Sequence, residues 1–123
     1  MTEQILVADD DEAVRETIGF VLTCQGYQCR LVGSGENALQ LLDSGIKCDL
    51  ISSDVTNAPL SGIGFLQQAK KDFPEIPVVM VTGMGDASIR SICIQLGACD
   101  YLVKPFRREQ LLSLVRRALD SGA

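Results

Sequence analysis

Strand-length apolar runs alternate with stretches of helical periodicity along this chain, and that alternation leaves few folds open. The runs are Ile5-Leu6-Val7-Ala8, Tyr27 to Val32, a segment from about Asp49 to Ser53 that contains Leu50-Ile51, Val78-Val79-Met80-Val81 and Tyr101-Leu102-Val103. Short apolar runs of this kind read as strands buried on both faces of a parallel sheet. Between the runs the period changes to the helical one. Val14, Ile18, Val21 and Leu22 share one helical face, with Gly26 where the helix would stop. Ser34 is placed to cap a helix carrying Ala38, Leu41 and Leu42 that ends near Gly45. Leu66, Ala69 and Phe73 form a third apolar face, closed by Pro74. Ile89, Ile92, Cys93 and Leu96 form a fourth, with Asp86 as its cap and Gly97 at its end. Leu111, Leu114, Val115 and Ala118 form the fifth. Five β-α units with short connections imply an α/β domain: a parallel sheet, right-handed crossovers and helices on both faces.

Length and charge narrow the function classes. A chain of 123 residues fits one domain. Hydrophobic residues at 46% and charged residues at 22% argue against disorder. The net charge of −5 disfavours nonspecific binding to nucleic acid or to an anionic membrane. No apolar run approaches the ~18 residues of a membrane span. Met1-Thr2-Glu3-Gln4 lacks the basic start of a signal peptide, so a cytoplasmic location is expected. Five cysteines, no Cys-x-x-Cys and no histidine make a structural zinc site a poor reading. Buried free thiols in a reducing compartment are the simpler expectation.

The chemistry collects at the strand ends. The first strand stops at Asp9-Asp10, the third at Asp54, the fourth at Thr82 and the fifth at Lys104. In open α/β sheets, ligands bind at the carboxyl ends of the strands. Were the sheet ordered 2-1-3-4-5, one of the doubly wound orders, the first and third strands would be neighbours and their carboxylates would converge. Two carboxylates about 4 Å apart repel by roughly 4 kcal/mol at an effective dielectric near 20. Such a cluster calls for a cation. Hard oxygen ligands in a partly open site suit Mg²⁺, with Mn²⁺ as a substitute. Asp54 would be a covalent nucleophile of the aspartyl-phosphate kind. The cation, the Lys104 ammonium and the Thr82 hydroxyl would meet the three phosphoryl oxygens.

These motifs, in this order and spacing, carry a resemblance over the whole chain. Ile5-Leu6-Val7-Ala8-Asp9-Asp10-Asp11, Ile51-Ser52-Ser53-Asp54, Val79-Met80-Val81-Thr82-Gly83 and Tyr101-Leu102-Val103-Lys104-Pro105-Phe106 resemble the receiver domain of two-component response regulators. The resemblance implies a flavodoxin-like fold with strand order 2-1-3-4-5 and a receiver domain over residues 1–123. It implies that Asp54 is the phosphoacceptor, loaded by a sensor histidine kinase or a histidine phosphotransfer protein. Asp9 and Asp10 would form the acidic metal pocket, and Thr56 would give its backbone carbonyl to the metal. Thr82 and Lys104 would contact the phosphoryl group, and Tyr101 would be the aromatic switch. The Lys104–Pro105 bond is expected to be cis. Such a domain is a signalling module and not a turnover enzyme, although it assists its own phosphorylation and dephosphorylation. Its fourth helix, fifth strand and fifth helix would control an output partner or form a homodimer. One departure stands out. Many members place Met-Pro three and four residues after the phosphoacceptor, where this chain has Asn57 and Ala58, with proline delayed to Pro59, while Gly62 keeps the family's usual offset of eight. The role of the Thr56 carbonyl therefore rests on a loop that leaves the family pattern.

Several residues keep two readings. Asp11 reads as a helix N-cap beside the acidic pair. Tyr101 reads equally as a core aromatic with its hydroxyl at the surface. Leu112 and Leu119, seven apart, read either as a seam for a partner helix or as a widening of the core face. Arg107-Arg108 and Arg116-Arg117 read as a solvated helix face. Rival functions fit less well. A phosphate-binding loop after the first strand would not carry Asp9-Asp10-Asp11 without a metal. A phosphatase of the haloacid dehalogenase kind would want an aspartate where Thr56 stands. A degenerate receiver acting only as a binding module would have lost an acidic or lysine position, and none is lost.

Overall fold

The computed structural model describes residues 2–55, 62–83 and 87–121. Strands β1 (Gln4–Ala8), β2 (Gln28–Val32), β3 (Leu50–Ser53), β4 (Val78–Thr82) and β5 (Asp100–Val103) form one sheet. Helices α1 (Glu12–Cys24), α2 (Gly35–Asp43), α3 (Gly62–Asp72), α4 (Ala87–Gln95) and α5 (Arg108–Ser121) alternate with them. All four strand pairings are parallel, and the order is β2-β1-β3-β4-β5. The expected strand order and alternation are those observed. No helix among the described residues is long and apolar enough to cross a membrane.

The strands are buried on both faces because successive side chains point to opposite sides. In β1, Ile5 and Val7 join Ile18, Leu22, Leu111 and Val115 under α1 and α5. Leu6 and Ala8 join Ala38, Phe65 and Leu66 under α2 and α3. β4 divides the same way, with Val79 and Val81 on the first side and Val78 and Met80 on the second. Two cores therefore sandwich the sheet. Only β1, β3 and β4 are central, so they are the most completely buried strands.

Local chemistry sets the helix ends. The Asp11 carboxylate accepts hydrogen bonds from the amides of Ala13 at 3.0 Å and Val14 at 3.3 Å, which makes it the N-cap of α1. The Ser34 hydroxyl accepts from the Asn37 amide at 3.1 Å and caps α2. Gly26 has φ +104 after α1, and Gly97 has φ +108 after α4, conformations that residues with a β-carbon rarely adopt. Asp86, the expected cap of α4, lies outside the described residues, as do Asn57, Ala58 and Pro59.

Some expectations need correction. Ile92 is 41% exposed, although periodicity placed it on the core face of α4. Cys93 is the buried residue of that helix, and each helical step turns the side chain by about 100°. The thiols are free, but they are not all buried: Cys93 is buried, Cys29 and Cys48 are half-buried, and Cys24 and Cys99 are exposed. Cys24 sits in the last residue of α1 and Cys99 in the turn before β5, where neither core covers them. Leu112 and Leu119 are partly buried against the α1–α5 core, as residues that widen the core face would be. The arginines are also less idle than a solvated face suggests. Arg116 donates to the Tyr27 hydroxyl at 2.9 Å, and Arg117 to Asp100 at 3.1 Å.

Candidate functional site

The register of β1 against β3 builds the site. Ala8 pairs with Ser53, so the next residues, Asp9 and Asp54, leave the sheet side by side. The Asp54 amide donates to the Ala8 carbonyl at 3.2 Å, and the Asp9 amide to the Val32 carbonyl at 3.1 Å. The sheet thus holds both backbones beyond the formal strand ends. Asp9 is 2% exposed and Asp54 5% exposed, while Asp10 faces solvent. One carboxylate oxygen from each of Asp9, Asp10 and Asp54 lies within 4.8 Å of the others. The three acids expected from the sequence therefore share one end of the sheet.

Lys104 enters from the far side. It follows β5, and its amide donates to the Thr82 carbonyl at 2.7 Å, which extends the β4–β5 pairing by a step. Its ammonium reaches Asp9 Oδ2 at 2.8 Å and Asp54 Oδ2 at 3.2 Å. The peptide bond that follows, Lys104–Pro105, is cis as expected. Thr82 is fully buried at the end of β4, between the strands that carry Asp54 and Lys104. Tyr101 pairs with Met80 and is only 6% exposed, packed in the core that contains Cys93 and Ala98. An aromatic that turns inward on activation would start outside, whereas here the ring already lies inside. Thr56 lies outside the described residues.

The electrostatics follow from burial. Burial raises the Asp9 carboxyl above its ordinary value of 3.8, against the opposing pull of the Lys104 hydrogen bond and charge and the Asp11 amide, and the Asp54 charge adds to the rise. For Lys104, burial favours the neutral amine, but the Asp9 hydrogen bond and the two carboxylate charges outweigh it, so its value lies above 10.5. One ammonium facing three carboxylates leaves the cluster negative. Oxygen donors with excess negative charge, partly open through Asp10, fit a hard divalent cation.

Two residues of the site were not legible as such in the sequence. Gly62 opens α3, and its amide donates to the Val55 carbonyl at 2.9 Å. A β-carbon there would lie 1.8 Å from the Asp54 carbonyl oxygen. Arg15, one turn into α1, donates from Nη1 to the Asp9 carbonyl at 2.8 Å. The only signal for Gly62 was its spacing of eight from Asp54. For Arg15 there was none beyond its place in the helix after the acidic run. Beside Lys104 a largely apolar groove of about 420 Å³ runs along Ala13, Val14, Thr17, Pro105 and Phe106.

Known proteins share the family and the fold. Residues 5–116 match the family model for the response regulator receiver domain. The response regulator MprA of Mycolicibacterium vanbaalenii is 36% identical over 128 residues, which cover all of this chain and 55% of that protein. The probable transcriptional regulator ycf27 of Guillardia theta is 33% identical over 117 residues, covering 95% of this chain and 45% of that protein. This chain thus spans about half the length of these curated relatives. Among solved structures, the receiver domain of NtrX from Brucella abortus superimposes with a TM-score of 0.89 at 31% identity, covering 95% of this chain and 98% of that one. A CheY-like receiver from Methanospirillum hungatei shares the fold at a TM-score of 0.93 and 24% identity, covering 99% and 97%. With the sheet order, the strand-end residues and the family match in agreement, the chain belongs to the response regulator receiver domain family, the signalling domain of two-component systems.

Proposed function

We propose that this domain accepts a phosphoryl group on Asp54 in a Mg²⁺-dependent reaction. Asp9, Asp10 and Asp54 would hold the cation, which Mn²⁺ would replace, with the Thr56 carbonyl as the family's further ligand. When bound, the cation neutralises the carboxylates and the phosphoryl oxygens. The chain's own groups do the rest. An oxygen of the Asp54 carboxylate attacks phosphorus directly, a step that calls for no general base. The new O–P bond forms as the P–N bond of a phosphohistidine donor breaks, and the imidazole nitrogen keeps the electron pair. Lys104 follows the charge from the carboxylates to the transferred group, and the Thr82 hydroxyl donates to it. The same groups would assist hydrolysis back to the free aspartate.

The partner would be a sensor histidine kinase or a histidine phosphotransfer protein. The apolar groove beside Lys104 gives such a donor a place to dock within reach of Asp54. The output would pass through α4, β5 and α5, to a partner or to a second copy of the domain. Ile92, Ile94 and Val103 expose 41%, 43% and 41% of their surface there, which supports that face as the readout. With such partners the domain would work in the cytoplasm.

The observation that carries the reading is the Lys104 ammonium bridging one oxygen of Asp9 and one of Asp54, beside an exposed third carboxylate. The test is intact mass after incubation with acetyl phosphate and Mg²⁺. One phosphoryl group should add to the wild type and none to Asp54→Asn. Labelling that survives Asp54→Asn overturns the assignment.

A further inference from the structure

We propose that Arg15 is a positioning residue for the divalent-cation site, acting through the backbone on the Asp10 carboxylate; this rests on the metal reading above. Asp10 is exposed, and among the described residues its carboxylate makes no hydrogen bond or ion pair. The direction in which its Cα–Cβ bond leaves the chain is set by the two peptide groups that flank it, and both are pinned. The Asp9 carbonyl accepts from Arg15 Nη1 at 2.8 Å. The Asp11 amide donates to Asp9 Oδ1 at 2.9 Å. Arg15 is itself held by α1, where its amide donates to the Asp11 carbonyl at 2.9 Å. Its other contact is weak, since Nη2 lies 4.0 Å from Glu12, whose side chain is 75% exposed. The Arg15 side chain is 19% exposed, and its guanidinium fits against Gly33, where a β-carbon would lie 3.3 Å from Nη1.

Charge and positioning predict opposite outcomes here. A guanidinium beside the cluster repels a cation, so its removal on charge alone would tighten binding. Loss of the clamp frees the Asp9–Asp10 peptide and would weaken it. Groups that orient metal ligands typically contribute about 10- to 100-fold in affinity. One that acts through a carbonyl belongs at the lower end, about tenfold.

The test is calorimetric titration with Mg²⁺ alone, on the wild type, Arg15→Met and Gly33→Ala, with the metal-free melting temperature recorded for each. Arg15→Met should weaken Mg²⁺ about tenfold. Gly33→Ala keeps the charge but crowds Nη1, and should weaken Mg²⁺ by a smaller factor. A purely structural role would lower the metal-free melting temperature and leave the affinity of the folded protein unchanged, which overturns the proposal. So does Mg²⁺ bound as tightly as, or more tightly than, in the wild type. If Arg15→Met does not fold, Gly33→Ala decides by the same criterion. A wild type that takes up no Mg²⁺ overturns the metal reading itself, a result distinct from unequal binding among the variants.

Discussion

Gly62 and Asp54 are in contact through their backbones: a β-carbon on Gly62 would lie 1.8 Å from the Asp54 carbonyl oxygen and 2.5 Å from the Val55 Cα. Both neighbours are main chain, so neither can rotate away. Gly62→Ala must push the start of α3 off the end of β3, breaking the 2.9 Å Gly62–Val55 hydrogen bond. Overpacking of this kind costs about 1–3 kcal/mol. Urea unfolding should report a loss in that range, and acetyl phosphate labelling of the variant should slow. Unchanged stability would show that the loop accommodates a side chain.

The acidic cluster predicts a response to metal. Mg²⁺ at 100 times its dissociation constant stabilises a protein that binds it only when folded by about 2.7 kcal/mol. Asp10→Ala should abolish that response, since it removes one of the three grouped oxygens. Thermal melts with and without millimolar Mg²⁺ check this, and an unmoved wild-type curve rejects the site.

Lys104 is 18% exposed and pairs with two carboxylates that are nearly sealed from water. Lys104→Met removes the ammonium that bridges them. Breaking one side of a buried pair costs about 3–5 kcal/mol, and the residual exposure of Lys104 points to the low end, about 3 kcal/mol. The pH sign is opposite to the usual carboxylate case. The Asp9 value is raised, so its contribution to stability is present below 3.8 and is lost as pH rises through the higher folded value. Lys104 is raised too, so its contribution is present below 10.5 and fades above that as pH passes its folded value. Wild-type stability should therefore fall at strongly alkaline pH, and Lys104→Met should flatten that fall. Parallel alkaline profiles for the two proteins would reject the assignment.

The thiols should separate by exposure and thiolate content. Cys24 and Cys99 are exposed and should be alkylated first by iodoacetamide at mildly alkaline pH. Burial pushes the Cys48 thiol up to about 11, and burial also raises Cys93. Peptide mapping over time should show Cys48 and Cys93 last. Equal rates for all five would mean that the fold opens faster than the reagent reacts.

The switch should pass through the Thr82 strand. A beryllofluoride adduct adds a phosphoryl mimic at Asp54, and amide shifts should spread from Thr82 through Tyr101 to α5. The Tyr101 ring is already buried in the core, so the change expected is a repacking within it and not an entry from solvent. Thr82→Ala should confine the shifts to the pocket. Wild-type shifts limited to the pocket would reject the route.

Much of the fold was legible because its determinants are local. Ile5 to Ala8 and Val78 to Val81 are apolar at every position, which only a doubly covered strand tolerates. Asp11 and Ser34 cap helices with their own side chains, and Gly26 takes a backbone angle that other residues resist. The errors fell where two neighbouring positions compete for one face. Ile92 and Cys93 are both apolar, and only packing against β5 decided that Cys93 points inward. Cys24 and Cys99 carry no pattern that distinguishes a covered thiol from an exposed one.

The sequence by itself determined that acids, a hydroxyl and a lysine stand at strand ends, because the change from apolar run to polar residue is written in consecutive positions. Only the tertiary structure decided that they meet. Asp9 and Asp54 are 45 residues apart in the chain, and the parallel register of Ala8 with Ser53 sets them side by side. Lys104 crosses from β5 to hold both, and neither Arg15 on the Asp9 carbonyl nor Gly62 under Asp54 announces itself in the residues around it. Periodicity records which side of an element is apolar, whereas proximity between distant residues depends on strand order and register, which are properties of the assembled sheet.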